Sequence, residues 1–225
     1  MSKLLVAGCS FSDRFQVENC YGELLANKLG MDYLHEARAC GSNTRIWRRV
    51  TDLLMQGAIT SDDKVLIQYT EITRNEFATW LDPLANPGID EKFDAETWLV
   101  RFKLDAHLLH QDQPAAKWLQ TYLERWLCIP YEEERFKFNH YTFQSMLAYH
   151  NVDAYFLNLS CYAPADHIWS IIPYFQGRVF TDNHTLHHQP WGYSSEDPWH
   201  LSQTGHEKVA GDLHAWLTNG AGHGS

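Results

Sequence analysis

The sequence lacks any uninterrupted apolar run approaching the ~18–20 residues that cross a bilayer, and its mean hydropathy of −0.41 agrees. No membrane partner is expected. It also lacks a dense basic run. Its 18 Lys and Arg against 28 Asp and Glu give a formal charge of −10, which repels a phosphate backbone, so no nucleic-acid partner is expected. The five cysteines are odd in number, widely spaced and form no C-x-x-C pair, which speaks against a disulfide framework or a zinc ribbon. The first ten residues hold too few apolar side chains for the hydrophobic region of a signal peptide, so the reading is a reduced, cytoplasmic protein. Neither G-x-G-x-x-G nor G-x-x-x-x-G-K-[ST] follows the first apolar run, which disfavours a nucleotide site, and no cofactor is expected. No internal repeat is visible.

Aromatic residues, by contrast, are abundant. Nine Trp, 11 Tyr and 11 Phe exceed what a core of this size needs. The 44% hydrophobic and 20% charged shares are those of one folded domain spanning 1–225. Lys3 to Ala7 is an apolar run meeting Gly8, a buried strand ending in a tight turn. Tyr21 to Leu29 has a helical apolar face, with Gly30 where a C-cap belongs. A short strand around Met31 to Leu34, a Gly41-Ser42-Asn43 turn, a helix from Thr44 to Met55 and a strand from Val65 to Tyr69 follow. This alternation predicts parallel strands with helical crossovers, hence a three-layer α/β/α domain with a central parallel sheet. From about 73 to 150 the alternation stops. That stretch contains Trp80, Trp98, Trp118 and Trp126 and a Pro-rich connection, with its clearest helix from Glu132 to Tyr149. It reads as a helical, Trp-rich insertion. The alternation resumes with a strand at Val152 to Leu157 and a closing helix from Ser202 to Leu217.

In an open α/β sheet, ligands bind outside the carboxyl ends of the strands. After the first strand stands Gly8-Cys9-Ser10-Phe11-Ser12-Asp13, a strand-to-helix turn where backbone N–H groups can stabilise an anion. Ser10 or Ser12 there is either a nucleophile or a helix cap. Cys9 should point away from the pocket and into the fold, as a buried structural thiol. Before the last helix stands Asp197-Pro198-Trp199-His200. A His three residues after an Asp can donate Nδ1–H to that carboxylate and present Nε2 to a serine. The cluster His184, His187 and His188 lacks the i, i+4 spacing that converges metal ligands and reads as a solvated loop, so no metal site is assigned.

Together the Gly-x-Ser block and the D-x-x-H block resemble the SGNH or GDSL hydrolase family, over roughly Lys3 to Gln68 and Val152 to Leu217. The resemblance implies a flavodoxin-like α/β/α fold. It also implies Ser10 as nucleophile, His200 as general base and acid, Asp197 as the group orienting His200, and the amides of Ser10 and Gly41 as oxyanion donors. Two departures stand out. Cys9 replaces the first block's usual Asp. The family's Gly-x-Asn-Asp block after the third strand is missing: the strand runs into Gln68-Tyr69-Thr70-Glu71. One oxyanion donor is typically worth ~2.7–4 kcal/mol, so a substitute is needed. Asn43 is one candidate, with capping of the next helix as its alternative role, and the Thr70 and Gln68 side chains are others. Thr70, Arg74 and Trp199 are the candidate substrate contacts. Arg74 binds a substrate carboxylate or pairs with Glu71 or Glu76, and Trp191, Tyr193 and Trp199 stack on a sugar or pack under a loop.

The reading that follows is a serine esterase acting on a small acyl ester, acetyl in particular, carried by a small molecule or a glycan. An acyltransferase with the same triad and a non-catalytic glycan-binding module are the alternatives.

Overall fold

The computed structural model describes residues 1–14, 17–38, 41–70, 72, 75–78, 99–102, 129–158, 178–181 and 200–219. The strands are β1 (Lys3–Ala7), β2 (Asp32–His35), β3 (Lys64–Gln68), β4 (Asn75–Ala78), β5 (Leu99–Phe102), β6 (Asp153–Asn158) and β7 (Val179–Thr181). The helices are α1 (Tyr21–Leu29), α2 (Asn43–Met55), α3 (Ile129–Tyr149) and α4 (Gln203–Thr218), and a 3-10 turn occupies Ser10–Ser12. The main sheet has the order β2-β1-β3-β6-β7, with every pairing parallel. Its register sets Leu5 beside both Leu34 and Val65, and Ile67 beside Phe156.

Because successive strand residues face opposite ways, the apolar run of β1 divides between two cores. Leu4 and Val6 join Tyr21, Leu25, Leu66, Leu157, Val209 and Leu213 under α1 and α4. Leu5 and Ala7 join Ile46, Val50, Val65, Ile67, Phe136, Leu147 and Phe156 under α2 and α3. A parallel sheet covered on both faces needs such continuous apolar strands, and the three-layer α/β/α arrangement is the one the alternation predicts.

Local chemistry sets the helix ends. Gly30 closes α1 in the left-handed region (φ 65), where a missing Cβ avoids a steric penalty, and Met31 N–H returns to the Ala26 carbonyl. Asn151 does the same after α3 (φ 53), with Val152 N–H on the Leu147 carbonyl. Ser202 caps α4 through Gly205 N–H. At α2 the cap is Ser42, whose Oγ accepts from Arg45 N–H; Asn43 is the first helical residue, so the capping role considered for Asn43 belongs to its neighbour.

Two features of 73–150 depart from a purely helical insertion. β4 and β5 pair antiparallel as a separate two-stranded sheet, with Asn75 opposite Phe102. And α3, which starts three residues before the expected Glu132 because Pro130 is tolerated in a first turn, contributes Phe136, Phe143 and Leu147 to the core. This helix is framework, and its aromatic residues pack against Trp47, Tyr69 and Phe156. Among the described residues no helix is long and apolar enough to cross a membrane.

Candidate active site

The carboxyl ends of β1, β2 and β3 meet the N-terminus of α2. At the end of β1, Gly8 leads into the 3-10 turn. A Cβ at Gly8 would lie 2.6 Å from Ser12 Oγ and 2.8 Å from Gln68 Oε1, so only glycine fits. Both of those atoms are held by hydrogen bonds and cannot yield cheaply. Gly8→Ala is therefore expected to destabilise the fold by about 1–3 kcal/mol, as overpacking in a filled site does. An unchanged midpoint in urea denaturation would contradict this crowding.

The two serines of the turn differ. Ser12 is fully buried; its hydroxyl donates to Gln68 Oε1 (3.1 Å) and also bonds Tyr21 Oη. Ser10 is 7% exposed, and among the described residues neither its N–H nor its Oγ makes a hydrogen bond. Cys9 is fully buried, with its N–H and Sγ both directed to Gln68 Oε1 at 3.1 and 3.2 Å. Cys9 and Cys20 are free thiols.

On the far side of the turn, Gly41 is packed so closely that a Cβ would lie 3.0 Å from the Arg38 carbonyl oxygen and 3.1 Å from that of Gly8. Its N–H is donated to the Arg38 carbonyl (2.9 Å), so an oxyanion could take it only as a shared bond. Asn43 is buried and tied to Thr70 in both directions: Nδ2 donates to the Thr70 carbonyl (3.0 Å), and Oδ1 accepts Thr70 N–H (2.9 Å). The second Nδ2 proton is left to donate elsewhere. Thr70 itself is 1% exposed, held in place by this pair. Beside Asn43, between α2 and α3, lies a small, partly open hollow with Trp47, Phe136, Glu132 and Arg135 in its wall.

From the C-terminal block, His200 comes to the same turn. The His200 ring lies with its centroid 6.1 Å from that of Phe11, the residue after Ser10. Two further contacts dock α4 onto the start of α1. Asn19 and Gln203 exchange hydrogen bonds between backbone and side-chain amide, and Tyr21 N–H donates to His206 Nδ1 (3.1 Å). His206 is 1% exposed, and burial lowers its pKa to about 4. Asp197, Trp199 and Arg74 lie outside the described residues, as do Trp191, Tyr193 and the cluster His184, His187 and His188. Among the described residues no group of three or more His, Cys, Asp or Glu could hold a metal.

A second polar chain borders the turn. Asp13 Oδ1 meets His35 Nε2 (3.2 Å), His35 Nδ1 meets Tyr33 Oη (2.7 Å), and Tyr33 Oη meets Cys20 Sγ (3.1 Å). The hydrogen bond to Asp13, followed by that to Cys20, raises His35 to about 9, so this imidazole is charged at neutral pH. Burial pushes the Cys20 thiol up, but hydrogen bonds from His35 and Tyr33 outweigh it and leave the thiol below its ordinary value. The chain anchors Asp13, the C-terminal end of the Ser10 turn, to the edge strand β2. Nothing local in the sequence signals it: the partners come from three separate segments.

The sequence matches no family model and no curated relative. Solved structures do match over nearly the whole chain. A psychrotrophic esterase from Pseudoalteromonas sp., in a structure inhibited by monoethylphosphonate, superposes with a TM-score of 0.58 at 9% identity, covering 97% of this chain and 98% of that one. A protein assigned to the lipolytic G-D-S-L family from Desulfitobacterium hafniense gives 0.53 at 9% identity, covering 96% and 99%. A lipase from a goat rumen metagenome gives 0.53 at 11% identity, covering 99% of each chain. The chain thus has the α/β/α fold that these esterases and lipases share.

Proposed function

We propose that the protein is a serine esterase that cleaves a small acyl ester through Ser10, His200 and Asp197. The observation that carries this reading is the contrast between the two serines of one turn. Ser12 is consumed by the scaffold, whereas Ser10, at the carboxyl end of a central strand, keeps both its hydroxyl and its amide uncommitted among the described residues. The packing of His200 against Phe11 and the fold shared with esterases and lipases support the same reading.

In the proposed reaction His200 takes the Ser10 proton as Oγ attacks the ester carbonyl, and Asp197 orients the imidazole. The resulting oxyanion is received by the Ser10 N–H and by the spare Nδ2 proton of Asn43, with Gly41 N–H as a shared donor. His200 then protonates the leaving alcohol, and water, activated by the same imidazole, releases the acyl group from Ser10. A short acyl chain, acetyl in particular, is the proposed acyl portion. The charge of −10 favours a neutral alcohol portion, for which a carbohydrate is the proposed carrier.

A fluorophosphonate probe tests the nucleophile directly. One adduct is expected, and peptide mapping should place it on Ser10. No adduct, or an adduct on Ser12 or Cys9, contradicts the assignment. p-Nitrophenyl esters of increasing chain length, followed by acetylated sugars, then test the acyl and alcohol portions; the highest kcat/KM is expected for the acetyl ester.

A further inference from the structure

A single side-chain oxygen holds both flanks of the Ser10 turn. Gln68, the last residue of β3, is fully buried. Its Oε1 accepts from Cys9 N–H (3.1 Å), Cys9 Sγ–H (3.2 Å) and Ser12 Oγ–H (3.1 Å), while its Nε2 donates to the Tyr69 carbonyl and thereby fixes which way the amide faces. Ser12 has only one hydroxyl proton and gives it to Gln68, so the Tyr21 hydroxyl must be the donor in the Ser12–Tyr21 bond. Tyr21 in turn donates its N–H to His206 on the helix that follows His200. One line of bonded residues therefore runs from β3 through Ser12 and Tyr21 to α4, Cys9 is tied to the same oxygen, and Ser10 stands between the clamped residues Cys9 and Ser12.

We infer that Gln68 is a positioning residue that sets where Ser10 Oγ stands relative to His200. The inference rests on the reading of Ser10 as nucleophile. One Nε2 proton goes to the Tyr69 carbonyl and the amide oxygen faces the turn, so the role inferred here is that of the oxygen, which acts on Ser10 through its neighbours. What it supplies is rigidity: three donors on one fixed acceptor leave the turn a single geometry, and misplacing a reacting atom by about 1 Å can cost about 100-fold in rate.

The test compares wild type with Gln68→Leu, which keeps the volume and removes the acceptor, and with Gln68→Glu. Burial raises the pKa of a carboxyl group. The carboxyl introduced by Gln68→Glu, once protonated, would thus retain an acceptor oxygen and use its O–H toward the Tyr69 carbonyl. The measurements are the fluorophosphonate labelling rate, kcat and KM for p-nitrophenyl acetate, and the thermal midpoint. For Gln68→Leu, labelling and kcat are expected to fall about 100-fold with KM within about threefold, and Gln68→Glu should recover at least about tenfold of that loss. Wild-type rates in a folded Gln68→Leu, an effect confined to KM, or equal impairment of the two variants would overturn the inference while leaving the esterase reading standing. A wild-type protein that the probe does not label overturns both. If Gln68→Leu does not fold, Ser12→Ala replaces it: removing one of the three clamps should slow labelling about tenfold, and an unchanged rate overturns the inference.

Discussion

Replacing Ser10 by alanine is expected to lower ester turnover by roughly 10⁴- to 10⁶-fold, the range seen when a triad nucleophile is removed and only binding and oxyanion stabilisation remain. The fold should be unaffected, because the Ser10 hydroxyl makes no hydrogen bond among the described residues that alanine would break. His200→Ala should cost about as much, and the double variant little more than either alone, because the two act as a unit. Ser12→Ala should behave in the opposite way. It keeps the nucleophile but removes a buried hydroxyl bonded to both Gln68 and Tyr21, so stability should fall while activity falls only about tenfold. The two single variants, measured for kcat/KM and for the urea midpoint, thus separate the roles of two serines two residues apart. A Ser10→Ala protein with more than a hundredth of wild-type turnover would move the chemistry elsewhere, Cys9 included.

The division between what was and was not legible in the sequence follows the range of the interactions. β1, β3 and β6 are buried on both faces and therefore read as continuous apolar runs, and α1 ends where Gly30 dictates; these elements were visible within a few residues of where they lie. The turn bearing Ser10 was visible for the same reason, since it follows directly from a strand that cannot be mistaken. The Gln68 clamp was not: the sequence offers Gln68 only as a candidate oxyanion donor, and its partners Cys9 and Ser12 lie 59 and 56 residues away. Long-range hydrogen bonds leave no periodic trace. Asn43 shows the same limit: Ser-Asn before a helix offers two cap candidates, and only the position of Thr70, 27 residues on, draws the Asn43 amide away from the cap. The framework role of α3 was hidden differently. Its aromatic residues face both the core and solvent, with Phe136 buried and Phe138 71% exposed, so its apolar pattern has no clear stripe.

The buried end of that long-range network carries the second large prediction, a loss of stability in mild acid. His206 accepts Tyr21 N–H at Nδ1, so that nitrogen must be bare, and burial holds the ring's pKa at about 4 against 6.5 for an unburied imidazole. The sign follows from the two protonation states. Above pH 6.5 the ring is neutral whether the chain is folded or unfolded and contributes no pH dependence. Between 6.5 and about 4 the unfolded chain binds a proton that the folded chain refuses, so stability falls as pH falls through this window. At one pKa unit per 1.36 kcal/mol the full loss is about 3 kcal/mol. His35 runs the other way: with a folded pKa of about 9, its contribution is complete below 6.5 and declines as pH rises toward 9. The opposed contributions of the two histidines are both largest near pH 6.5. Urea denaturation from pH 7.5 to 4.5 measures the acid limb, and His206→Asn isolates one residue among 13 histidines, since an asparagine oxygen can accept Tyr21 N–H but does not titrate. The variant should lose most of the wild-type slope between pH 6.5 and 4.5. An identical slope in the two proteins would mean that the acid sensitivity arises at another histidine.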